Sequence, residues 1–297
     1  MSTPLDNVMQ RPVSTGARSI DKLQASRWAL LAIPSAGWFL WFLLVPFVIV
    51  LLYSFATKGI YGGITWRLTP ENYDRATDWL YLKIYWNSVK LAGATSFLCL
   101  LLGYPMAYAM ATASARFRNV LLVLVILPFW TNLVIRAYAL KVLLGMDGFM
   151  NRFLLAAGIL TEPFVFEGTQ LAVWFGMVTN YLPFMVLPLY VSLEKFDFSL
   201  LEAGRDLGAS SWQVITRILL PLTKSGIITG FILVFTPALG EFVIPDLFGG
   251  AKVMLMGNLI TEQFLKTRDW PFGSALSILI IAPILMLVFY EVRRGKS

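Results

Sequence analysis

Glu241 and Arg136 each stand inside a long apolar run, where an ionisable side chain is costly and is retained for pairing or for transport. Lys90 and Lys141 also fall within apolar runs, but near their ends, where a long stem reaches the interface. Asn132, Asn180, Tyr181 and Thr236 are polar companions of the central pair at similar depth. A carboxylate set among amides and phenols can hold an organic cation, and Trp130, Tyr138 and Phe242 can offer ring faces to it. The same residues admit a plainer role, with Arg136 and Glu241 as a structural ion pair and the asparagines as links between helices. Another group, Glu202, Ala203, Gly204, Asp206 and Gly208, lies in a polar segment between two apolar runs. Glu202 and Asp206 are one helical turn apart, which suits docking better than acid–base chemistry.

Several chemistries are excluded by what is missing. The chain has no histidine and a single cysteine, Cys99, so it carries no Ser-His-Asp or Cys-His set, no internal disulfide and no metal-thiolate site. The tail Arg294-Gly295-Lys296-Ser297 imitates the end of a phosphate-binding loop, but the required first glycine falls at Tyr290. The expectation is that the chain neither binds nor hydrolyses ATP and holds no cofactor or metal.

These residues are positioned by a membrane framework. The 297 residues are 58% hydrophobic with mean hydropathy +0.70, above the usual apolar share of soluble domains. Six runs reach the ~20 residues that a hydrocarbon core requires: 28–55, 87–112, 119–144, 171–194, 225–245 and 271–290. They lack the alternation of a membrane barrel, so they read as helices. Thirteen Lys and Arg flank one side of these runs and eight the other, which puts both termini and the 195–224 segment in the cytoplasm. That bias accounts for the net charge of +7 without any nucleic-acid partner. The first run ends at Tyr53-Ser54-Phe55 with no small-residue cleavage site, so it is expected to be retained. Counted along straight helices from residues 119 and 225, Arg136 and Glu241 lie 17 and 16 residues in, a common height of roughly 25 Å.

Along the chain, residues 1–27 are expected to be a mostly flexible cytoplasmic tail with its last turns along the membrane, 28–292 one transmembrane domain, and 293–297 a short cytoplasmic tail. An outer loop over 56–86 contains a helix start at Thr69-Pro70-Glu71, with Thr69 as cap, and interfacial aromatics from Tyr73 to Trp86. Ala115–Arg118 reads as a tight inner turn, 151–160 as a short outer helix, and Asp246 to Gly250 as a segment that re-enters or caps the outer mouth. Gly93, Gly103 and Ala107 allow close helix approach. Within 202–221, Gly208 supplies a turn and Ser210 or Ser211 caps a second short helix.

Glu202-Ala203-Gly204, three residues, Gly208, nine residues, Ile218, one residue and Leu220-Pro221 together resemble the signature loop of binding-protein-dependent ABC importer permeases. One departure is Gly204, where the family usually has alanine. The resemblance implies an all-α membrane protein of six transmembrane helices with a cytoplasmic coupling helix–turn–helix, like a type I ABC importer permease. It further implies that the loop contacts a separate ATPase.

Four more segments are similar to the spermidine/putrescine branch. They are Leu127-Pro128-Phe129-Trp130-Thr131-Asn132, Arg136-Ala137-Tyr138, the stretch from Pro183 to Tyr190, and Arg268-Asp269-Trp270-Pro271. The resemblance covers about residues 28–290. It implies a heterodimer with a second permease, two ATPase copies and a periplasmic polyamine-binding protein, in a bacterial inner membrane among lipids. Glu241, Asn132, Tyr138, Asn180, Tyr181 and Asp246 are then the substrate-path candidates. An ion-coupled carrier of an organic cation is the competing class, but it favours repeats and discontinuous spans not visible here. A membrane enzyme lacks its catalytic cluster.

Overall fold

The computed structural model describes residues 15–59, 62–250 and 253–294. Residues 1–14 and 295–297 of the expected tails lie outside these, as does Lys252. The chain divides into two compact units, residues 1–52 and 53–297. The first is dominated by α1 (Thr15–Ser54), whose stretch Ile33–Ser54 has mean hydropathy 2.3 and is long enough to cross a bilayer core of about 30 Å. The helix is under way by Thr15, so residues 15–27 are helical.

The second unit opens with a short antiparallel pair, β1 (Thr57–Lys58) and β2 (Ile64–Thr65), followed by α2 (Glu71–Ala76). Pro70 rather than Thr69 takes the N-cap position of α2, although Thr69 Oγ1 still accepts from the Glu71 amide at 3.3 Å. Next comes α3 (Trp79–Thr112), which begins eight residues before the apolar run. Its first turns carry Trp79, Tyr81, Tyr85 and Trp86, so these aromatics belong to the span itself and not to a separate interfacial helix. The expected inner turn is displaced: α3 ends at Thr112, Ser114 is an N-cap, and Ala115 already starts α4 (Ala115–Ile126).

The run at 119–144 is not one straight helix. α4 passes into a 3-10 turn (Leu127–Trp130), the chain extends through Thr131 and Asn132, and α5 (Leu133–Leu143) leaves at 101°. The ring of Pro128 removes one amide from the ladder, and the Asn132 side chain accepts from the Val134 amide at 2.8 Å to begin the next helix. α6 (Phe149–Ala156) starts and stops a little earlier than expected. α7 (Gln170–Glu194) is continuous despite Pro183 and Pro188. The coupling segment comprises α8 (Ser199–Asp206), α9 (Ser211–Val214), a π-helical turn (Ile215–Leu219) and α10 (Leu220–Leu222). It meets α11 (Lys224–Leu239) at 68°. α11 stops at Gly240, and the run resumes as α12 (Val243–Phe248). The sequence reading overlooked α13 (Met256–Leu265), which precedes the last span, α14 (Trp270–Arg294). Among the described residues, four helices are long and apolar enough to cross a membrane, or up to six spans if each bent pair is taken as one.

The core of this unit is the mutual packing of α3, α7 and α11. Met177, Met185, Val186, Leu189 and Val234 are sealed inside it. Of the three small residues expected at helix crossings, Gly103 faces Met185 and Val186 and Ala107 is fully buried, but Gly93 has nothing within 4 Å. On the side opposite the coupling segment, Arg75 of α2 bonds Asp269 at 2.8 Å and lies 3.8 Å over the ring of Phe272, tying α2 to the start of α14.

Candidate functional site

Three groups of residues position the chemistry. The coupling segment is an exposed elbow. Glu202, Ala203, Asp206 and Gly208 face outward, while Leu201, Gly204, Val214 and Leu219 face inward. Gly208 has φ +83°, a left-handed conformation that suits glycine, and it reverses the chain between α8 and α9. Ser210 caps α9, with its hydroxyl accepting from the Gln213 amide while Gln213 returns a bond to the Ser210 amide. At the start of α8, the Ser199 hydroxyl and amide hold the Asp197 carboxyl below the usual carboxylate range.

The departure at Gly204 has a local explanation. A Cβ there would stand 2.6 Å from Ile218 Cδ1, so the isoleucine tip occupies the space an alanine would take. Leu207 and Trp212, 89% and 73% exposed, project from the elbow beside the acidic residues. The sequence reading passed over both. Their signal was two large apolar residues flanking the turn glycine in an otherwise polar segment. At the far end of the segment, buried Thr223 bonds the Tyr104 hydroxyl of α3 at 2.9 Å and donates to the Leu219 carbonyl at 2.8 Å.

The second group gathers at the breaks in the spans. Arg136 and Glu241 do not form the expected ion pair: ion pairs among the described residues within 4.0 Å join Arg75 to Asp269, Arg118 to Glu194 and Lys141 to Glu167. Instead Arg136 donates from Nε to Asn180 Oδ1 at 2.5 Å and from Nη1 to the Pro128 carbonyl at 2.8 Å. The Pro128 carbonyl also accepts the Thr131 amide at 3.3 Å and the Thr131 hydroxyl at 2.9 Å, so the guanidinium adds a charged donor to a carbonyl at the end of the 3-10 turn, with its positive charge at a helix C-terminus. Glu241 accepts the Tyr181 hydroxyl at 2.5 Å, and its other oxygen accepts the amides of Phe242 at 3.0 Å and Val243 at 2.9 Å. That carboxylate is a cap for α12 and is only 8% exposed. Neighbouring residues of α7, Asn180 and Tyr181, therefore hold one break each. Both are almost fully buried.

Other candidates lie apart from this network. Asn132 is spent on capping α5, and Tyr138 is 54% exposed. Lys141, in the last turn of α5, pairs with Glu167 at 2.7 Å as expected for a residue near a helix end, whereas Lys90 lies well inside α3, 5.8 Å over the Trp86 ring. Asp246 belongs to a third place, a cavity of about 340 Å³ between α12 and α13, lined also by Phe242, Asn258 and Glu262.

An elbow of two short helices thus projects from a bundle of broken spans, and comparison with known proteins gives the class to which this arrangement belongs. Residues 100–292 match the family described as binding-protein-dependent transport system inner membrane component, and the chain belongs to that family. It is a multi-pass inner-membrane transport component and not an enzyme. It is 46% identical over 260 residues to the spermidine/putrescine transport system permease protein PotB of Haemophilus influenzae, covering 88% of this chain and 91% of that protein. The protein of the same name in Escherichia coli strain K12 is 45% identical, with 87% and 94% covered. In fold the chain is similar to a solved bacterial ABC transporter involved in import of the acidic polysaccharide alginate, with TM-score 0.62 at 20% identity over 94% of this chain and 98% of that one.

Proposed function

We propose that the chain is one permease half of an ABC importer that carries spermidine and putrescine inward. The observation that carries this reading is identity near 45% to permeases of that name over almost nine-tenths of the chain. A second, similar permease completes the pathway, two copies of an ATPase subunit bind the ATP, and a periplasmic binding protein delivers the amine. The α8–α9 elbow is the ATPase contact, with Glu202 and Asp206 supplying charge and Leu207 and Trp212 supplying apolar anchors. The excess of Lys and Arg on the elbow's side of the bundle supports placing that side and both termini in the cytoplasm.

The test is uptake by proteoliposomes holding both permeases and the ATPase, supplied with binding protein. Labelled spermidine and putrescine should accumulate only with ATP on the elbow side. Accumulation driven by an ion gradient without ATP would instead favour a secondary carrier. Glu202→Lys and Gly208→Val should both leave the chain in the membrane and reduce uptake at least ~10-fold. The first reverses a docking charge, and the second forces a β-branched residue into a left-handed turn at a cost of roughly 1–2 kcal/mol. Normal ATPase capture and normal uptake by both variants would remove the elbow from the coupling pathway.

A further inference from the structure

With Glu241 fully engaged as a helix cap, the carboxylates available to a cation lie elsewhere. The cavity between α12 and α13 is lined by Phe242, Asp246, Asn258, Thr261, Glu262 and Lys266, among others. Its volume of about 340 Å³ falls in the range of about 300–1,000 Å³ typical of small-molecule sites. Among the described residues, neither Asp246 nor Glu262 takes part in an ion pair. Asn258 spends its Nδ2 on the Phe242 carbonyl at 3.1 Å, which fixes the amide and leaves Oδ1 buried without a donor. A buried acceptor without a donor is costly, and a ligand N–H would satisfy it. Phe242 is 43% exposed and adds an aromatic face to the same wall.

Two carboxylates, one unsatisfied amide oxygen and a ring make a receptor for an alkylammonium. Lys266 brings the ionisable groups on the wall to a net charge of −1, which matches one ammonium rather than two or three. We infer that this cavity is a subsite for a single terminal –CH2–NH3+ group of the transported amine, with Asp246 and Glu262 as its counter-charges and Asn258 Oδ1 as its orienting acceptor. The inference rests on the polyamine reading above. A site that reads one primary ammonium treats a diamine and a triamine alike, so discrimination between them belongs to other parts of the assembly.

Equilibrium binding of radiolabelled putrescine and spermidine to the assembled complex, without the binding protein, tests this. Asp246→Asn and Glu262→Gln should each weaken binding at least ~10-fold, by the same factor for both amines, as expected for loss of a charge-assisted hydrogen bond. Lys266→Gln should tighten binding, since it removes a repelling charge. Yield of the purified complex shows whether each variant is folded, and both isosteric changes should retain it. Wild-type affinity in the Asp246→Asn, Glu262→Gln double variant, or no binding to the wild-type complex at millimolar amine, overturns the subsite. Loss confined to spermidine overturns the single-ammonium assignment. ATP-dependent uptake by the wild-type complex with binding protein is measured alongside. If uptake is present, a failed binding test condemns the subsite alone. If uptake of both amines is absent, the polyamine reading falls and the subsite falls with it.

Discussion

Glu241→Ala is expected to cut the yield of assembled complex at least ~10-fold, whereas Glu241→Gln should retain most of it. Alanine removes the acceptor for the Tyr181 hydroxyl and for the Phe242 and Val243 amides at a site only 8% exposed. Each donor left unsatisfied there costs about 1–3 kcal/mol, so the sum is comparable to the whole stability of many domains. Glutamine keeps an oxygen for the two amides, and the tyrosine hydroxyl can turn to accept from its Nε2. Tyr181→Phe removes one bond and should give an intermediate loss. Size-exclusion chromatography of the complex, followed by thermal unfolding in detergent, reads all three. An alanine variant that assembles and melts like wild type would show that the cap does not hold the α11–α12 break.

Gly257→Val should be severely damaging, although it lies outside that network. A Cβ at Gly257 would lie 2.4 Å from the Gly240 carbonyl oxygen and 2.7 Å from that of Glu241. Both are backbone atoms, so no side chain can swing aside. The start of α13 sits directly on the break between α11 and α12, and any side chain must lever the two apart. Overpacking typically costs about 1–3 kcal/mol, and with an immovable partner the upper end or beyond is expected. Gly93→Ala is the matched control, because nothing lies within 4 Å of a Cβ there. It should be neutral or slightly stabilising, by up to ~1 kcal/mol, through helix propensity. Melting temperatures of the two variants should therefore move in opposite directions or differ widely. Equal melting would mean that the α13 contact does not constrain the break.

Much of this was legible in the residues. The elbow was, because its turn glycine, its cap at Ser210 and its polar composition are local signals that need no tertiary context. The apolar runs were legible because length and hydropathy suffice to mark them. The breaks inside the runs were not. Hydropathy records composition and is blind to direction, and prolines are common enough in membrane helices that Pro128 alone does not announce a 101° turn. Asn132 after Pro128 carries a capping signal, whereas the sequence reading offers it as a ligand or as a link between helices. The bends also explain why Arg136 and Glu241 do not pair. Equal heights were counted at 1.5 Å per residue along straight helices, and Arg136 lies beyond one bend while Glu241 lies beyond the end of α11. The charges were recognised as significant, but the groups they satisfy are backbone ends created by the bends themselves.

The 68° bend at Thr223 gives these parts a common mechanics. From the turn at Gly208 to Thr223 the chain is an arm of about 20 Å, and from Thr223 to Gly240 it is one of about 25 Å, at the helical rise. The Tyr104 hydroxyl pins the fulcrum to α3. For any rotation that pivots there, a push on the docking turn arrives at the far end undiminished and slightly enlarged. That far end is the junction that Glu241 caps, Gly257 abuts and the α12–α13 cavity adjoins. If α11 moved as one rigid arm, carrying its packing against α3 and α7 with it, a displacement of the docking turn would reach the mouth of the cavity at comparable size.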